Sequence, residues 1–146
     1  MNRLMILGSL IVILSYACQR ETEWATMSTY PDGQIKIEQE FYMEGEDSIF
    51  VFQRIYGIKG VVQLAGALEN GERHGIWQSF YPDGTSWSKT EFDKGIFEGE
   101  TTTWYKNGIV RYTGFYKNGK EDGEWRWYDS TGTFIRKVEF DEGVEK

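Results

Sequence analysis

The sequence predicts an all-β protein, an elongated antiparallel meander of β-hairpin repeats forming one curved, twisted sheet. Three observations carry that expectation. Glycines recur 24 residues apart at Gly71, Gly95, Gly119 and Gly143, with Gly75, Gly99, Gly123 and Gly84, Gly108, Gly132 in step. Aromatics keep the same phase at Phe80, Trp104, Tyr128 and at Phe92, Tyr116, Phe140. Beyond the N-terminal leader, no stretch sustains the 3.6-residue apolar stripe of a helix. A fixed period of this length marks one supersecondary unit stacked several times.

The chain begins with an address. Asn2 and Arg3 precede an almost wholly apolar run from Leu4 to Ala17. That run is shorter than the roughly 20 residues of a membrane-spanning helix and has the length of a secretory signal core. Leu14-Ser15-Tyr16-Ala17-Cys18 resembles the lipobox of bacterial lipoproteins, with Tyr16 and Ser15 as departures from its commonest form. The resemblance implies a signal peptide over residues 1–17, cleavage before Cys18 and acylation of that cysteine. It further implies a lipid anchor to the outer membrane, on the periplasmic or the cell-surface side. The other reading is an ordinary signal peptide with a free thiol. Residues 18–27 read as a tether, and its start, Gln19-Arg20-Glu21-Thr22-Glu23, resembles the charged export signal of surface lipoproteins.

The repeat domain is expected over 28–146, degenerate in 28–67 and regular in 68–146. Tyr30-Pro31-Asp32-Gly33 repeats Tyr81-Pro82-Asp83-Gly84, and the two stand two periods plus three inserted residues apart. The insertions fall between Phe41 and Tyr56. Pro-Asp-Gly suits a hairpin loop, since Pro presets φ at its first position and Gly supplies a left-handed residue. Lys106-Asn107-Gly108 and Asp129-Ser130-Thr131-Gly132 serve the next units. Folding about these turns should pair Phe80 with Ser86, Trp104 with Val110 and Tyr128 with Phe134.

Counting outward from each turn glycine separates two faces. Odd positions hold Lys89, Glu91, Arg111, Thr113, Lys137 and Glu139. Even positions hold Val110, Tyr112, Tyr116, Phe134, Val138 and Phe140. In that register Trp77 and Trp125 fall opposite Lys89 and Lys137, and Trp127 falls opposite Ile135. Trp77, Trp87, Trp125 and Trp127 are the candidate ligand-binding residues, as a platform for a glycan or an extended peptide. Sheet packing is the competing account of the same side chains and of Trp104.

Asn118-Gly119-Lys120-Glu121-Asp122-Gly123-Glu124-Trp125-Arg126-Trp127-Tyr128, followed by Gly132, resembles the bacterial MORN-variant repeat. The middle unit departs from that pattern, with Lys94 in place of Asn and Thr101 in place of Trp. The resemblance implies hairpins laid side by side. Some members carry an antitoxin label, which implies a cytoplasmic partner and sits badly with the lipobox.

Composition narrows the rest. The net charge of −7 disfavours nucleic acid and anionic lipid headgroups as partners. Cys18 is the only cysteine and His74 the only histidine, too few for a zinc site or a nucleophile–base pair. His74 reads as a solvated turn residue. Glu98, Glu100, Glu121, Asp122 and Glu124 recur at equivalent turn-side positions and read as a solvated edge. No catalytic residue, metal site or cofactor is expected. The expected function is a non-catalytic binding or spacing module with an envelope protein or glycan as partner. The alternatives are a glycan-binding envelope lipoprotein and a MORN-variant antitoxin.

Overall fold

Among the described residues, eleven antiparallel strands follow one another across a single open sheet in chain order. The computed structural model describes residues 20–146, so the signal peptide and the Cys18 lipidation site lie outside the described residues. The strands are β1 (Glu23–Thr29), β2 (Ile35–Glu44), β3 (Asp47–Tyr56), β4 (Val62–Glu69), β5 (Glu72–Phe80), β6 (Ser86–Asp93), β7 (Ile96–Trp104), β8 (Val110–Lys117), β9 (Lys120–Tyr128), β10 (Phe134–Asp141) and β11 (Val144–Glu145). There is no helix among the described residues. β1 takes up Glu23 to Met27 of the stretch expected as tether. It is held there by Trp24, whose ring meets Phe52 edge-on at 6.3 Å and lies 4.2 Å from the Arg54 guanidinium.

The hairpins β1–β2, β3–β4, β5–β6, β7–β8 and β9–β10 are the repeat units, the first two included. The three inserted residues are absorbed within strands: β2 has 10 residues where β6 has 8, and β3 has 10 where β5 has 9. Within each hairpin the turn is closed by two backbone bonds, as in Gly84 N–H to Tyr81 O at 2.8 Å and Tyr81 N–H to Thr85 O at 2.8 Å. Gly84, Gly108 and Gly132 have φ of 86°, 83° and 89°, so the left-handed residue stands where the sequence placed it. The expected pairs Phe80–Ser86, Trp104–Val110 and Tyr128–Phe134 all form.

Immediately beyond those pairs the register slips. A β-bulge sets Ser79 opposite Ser88, Thr103 opposite Tyr112 and Trp127 opposite Arg136. The extra residues are Trp87, Arg111 and Ile135, again 24 apart, with Gln63 and Lys36 in the corresponding places of β4 and β2. One inserted residue shifts the pairing by one. The alternation expected through the turn is therefore corrected. Trp77 lies opposite Thr90, not Lys89, and Trp125 lies opposite Val138, not Lys137. Trp127 faces Arg136 rather than Ile135. Val110 and Phe134 are likewise on the other face from Tyr112 and Val138.

The turns between hairpins are two-residue loops. Asn70-Gly71, Lys94-Gly95 and Asn118-Gly119 have both φ values positive, at 52° and 81°, 47° and 78°, and 50° and 76°. This is the type I′ geometry that matches strand twist, and Asn-Gly is its preferred pair. Lys94 occupies a left-handed site that asparagine tolerates better. Lys94→Asn should therefore stabilise the chain by about 0.5–1 kcal/mol in a denaturant titration.

Candidate functional site

With no second layer over the sheet, the side chains themselves must form the cover. They do so on one face. Trp77 and Trp125 are each only 2% exposed. The Trp77 ring lies flat over Gly66, and the Trp125 ring over Gly114; a Cβ on either glycine would fall inside the ring's van der Waals surface. Each indole N–H donates to a main-chain oxygen, Trp77 to Ala67 at 2.8 Å and Trp125 to Phe115 at 3.2 Å. Between them, at the positions one period along, stand Thr90 and Thr101. Their hydroxyls are buried and bonded to each other at 2.8 Å. The threonine that breaks the repeat pattern is thus matched by a threonine replacing the glycine beneath it. The same side-by-side arrangement continues at Gln39 and Gln53, whose amides bond at 2.6 Å.

A line of rings runs across this face. Trp77 meets Phe92 at 6.2 Å, Phe92 meets Phe97 at 4.7 Å, Phe97 meets Tyr116 at 4.9 Å and Tyr116 meets Trp125 at 5.1 Å. Trp125 continues it to Phe140 at 6.1 Å and stacks beside Trp127 at 6.0 Å. Arg73 and Arg136 set their guanidiniums 4.5 Å from the Trp77 and Trp127 rings. The ring–ring pairs add about 0.5–1.5 kcal/mol each beyond their burial.

The four tryptophans expected to form one platform are therefore divided. Trp77 and Trp125 present no ring to a ligand. Trp127 is half-buried against Trp125. Trp87, the bulge residue of β6, is 47% exposed and stands apart at the turn end of its hairpin. There it borders a hollow of about 440 Å³ with Gln63, Leu64, Ser79, Phe80, Tyr81 and Pro82 as the other walls. The Tyr81 and Trp87 rings are 6.3 Å apart.

The polar residues mostly brace one hairpin against the next. Asp83 accepts from the Thr85 hydroxyl at 2.7 Å and pairs with Lys106 of the following turn at 3.0 Å. Those two donors hold its carboxyl down to about 2. On the opposite edge of the sheet, Gly95, Gly119 and Gly143 donate N–H to the oxygens of Arg73, Phe97 and Glu121 at 2.9, 2.9 and 2.8 Å. Glu98 accepts the Asn118 N–H at 2.6 Å, and Asp122 that of Glu142 at 3.4 Å. His74 occupies the same repeat position and lies 3.3 Å from Asp93 and 3.5 Å from Glu69. Glu98 and Asp122 thus brace the turns, while Glu124 pairs with Arg126 and Lys137 of its own hairpin. No group of His, Cys, Asp and Glu side chains able to hold a metal ion occurs among the described residues.

Three tyrosines escaped the sequence reading. Tyr30, Tyr81 and Tyr105 occupy the same turn position, and each hydroxyl donates to a backbone oxygen of the next hairpin: Tyr56 at 2.7 Å, Trp104 at 3.0 Å and Tyr128 at 3.0 Å. Their shared place before the Pro-Asp-Gly or Lys-Asn-Gly turn was the available signal.

An open sheet of braced, near-identical hairpins defines a repeat module. Residues 73–94, 97–118 and 121–142 each match the family model described as MORN repeat variant, one hairpin-sized segment per match and in the 24-residue step of the sequence. Compared with curated proteins, the chain has no significant match.

Proposed function

We propose that the chain is a non-catalytic, protein-binding repeat module, anchored by a lipid on Cys18 at the outer membrane of a bacterial cell envelope. The observation that carries the binding part is the division of labour among side chains. Asp83, Lys106, Glu98 and Asp122 at the turn edges are engaged in holding hairpin to hairpin, while exposed apolar side chains such as Ile76, Trp87, Phe115 and Phe134 recur along the strands. The three MORN-variant matches support a repeat module. The anchor rests on the leader and on the position of the only cysteine behind it.

Two measurements test the two parts. Cys18→Ala should release the chain from the membrane fraction, and continued membrane retention with unchanged processing would overturn the anchor. A photo-crosslinking side chain at Ile76 or Phe134 should yield a discrete polypeptide adduct in cells. No adduct, together with saturable heat on titration with envelope glycans, would replace this reading with glycan binding. Of the four candidate tryptophans, glycan binding could use only Trp87 or Trp127, since Trp77 and Trp125 are closed to it.

A further inference from the structure

Of the four hairpins that another hairpin follows, one lacks the tyrosine brace. Tyr30, Tyr81 and Tyr105 reach across to the next unit, but in β3–β4 the corresponding residue is Gly57. By the 24-residue step, the oxygen that a tyrosine at 57 would meet is that of Phe80, as Tyr81 meets Trp104 and Tyr105 meets Tyr128. Phe80 itself lies in the wall of the hollow beside Trp87. Gln63 folds back over the Gly57 backbone, its Nε2 2.5 Å from where a Cβ would stand.

The bulge residue next to the hollow differs as well. In β2 and β8 it is a cation over the tyrosine of its own hairpin, Lys36 at 5.7 Å from Tyr30 and Arg111 at 5.8 Å from Tyr105. In β6 it is Trp87, so that a ring replaces a charge and the wall is apolar. An open, mostly apolar hollow walled by Phe80 and Trp87 remains where the fold elsewhere places its own phenol.

We propose that this hollow receives a tyrosine side chain of a partner polypeptide, the ring against Trp87 and Pro82 and the hydroxyl donating to the Phe80 carbonyl. The occupant is specified by the chain itself, which fills three equivalent places with tyrosine. The proposal rests on the protein-binding reading above and names what that partner presents.

The test uses the purified full-length chain and two probes, N-acetyl-tyrosinamide and N-acetyl-phenylalaninamide, read by NMR shifts of the Trp87 indole and the Phe80 and Tyr81 amides. The tyrosine probe should saturate with a millimolar Kd. The phenylalanine probe should bind about 2- to 10-fold more weakly, because it leaves the carbonyl without a donor. Gly57→Tyr should fill the socket from within, abolish the response and raise the melting temperature; the Gly57 backbone lies outside the left-handed region and Gln63 can swing away. Trp87→Ala, at an exposed position, should leave the fold intact and weaken the tyrosine probe about tenfold or more. No saturation at tens of millimolar, or wild-type affinity in Trp87→Ala or in a folded Gly57→Tyr, would overturn the socket. A polypeptide adduct that persists undiminished in Trp87→Ala would show that protein binding stands and the socket does not carry it.

Discussion

Replacing Trp125 by alanine should destabilise the chain by roughly 3–5 kcal/mol, the range of large-to-small substitutions in a packed interior. The size of the effect follows from the absence of any covering layer. Trp125 is 2% exposed because rings of Tyr112, Tyr116, Trp127 and Phe140 surround it at 5.8, 5.1, 6.0 and 6.1 Å. Its removal opens the face above Gly114 to water and strips the Phe115 oxygen of its indole donor. Little else is buried at this end of the sheet, where Val138 is the neighbouring core residue. In a repeat protein such a loss falls first on the local hairpins, so β9 and β10 should lose amide protection before β3 and β4. Urea unfolding monitored by circular dichroism, with hydrogen exchange, checks both statements. A loss below about 1 kcal/mol would mean the indole is solvated and would restore it as a candidate ligand platform.

The period of the chain was legible because it is written in residue types that have few other uses. Gly after Asn or Pro-Asp specifies a turn whatever surrounds it, so hairpin positions, the positive φ of Gly84, Gly108 and Gly132, and the pairs nearest each turn could be read directly. The bulges could not. Trp87, Arg111 and Ile135 share a position but no chemistry, and an extra residue in a ladder needs no particular side chain. Missing that single residue moved Trp77 and Trp125 to the wrong face and made two core tryptophans look like a platform. The signal that would have corrected this was present across strands rather than along them. Gly66, Thr90 and Gly114 stand 24 apart, as do Trp77, Thr101 and Trp125, and glycine occurs only where tryptophan does. The Trp87 hollow was illegible for another reason: it exists because a tyrosine is absent at Gly57, and an absence is visible only after the role of Tyr81 and Tyr105 is known.

That cross-strand match predicts how the face responds to paired change. Gly114→Thr alone should cost about 2–3 kcal/mol, since its Cβ must displace the Trp125 ring. Trp125→Thr alone should also cost several kcal/mol, through the void it leaves and the donor it removes. The two together should cost no more than Trp125→Thr by itself. The double variant recreates the arrangement of Thr90 and Thr101, whose hydroxyls meet at 2.8 Å within the same face, and it replaces a strand glycine with a β-branched residue. Glycine and tryptophan are then one unit, and two threonines another, each filling the same space between strands. A double-mutant cycle measures this as a coupling of about 2–3 kcal/mol in favour of the pair. Additive losses would mean that the threonine pair depends on neighbours particular to β6 and β7, such as the flanking pair Ser88–Thr103, and that the units cannot be exchanged along the sheet.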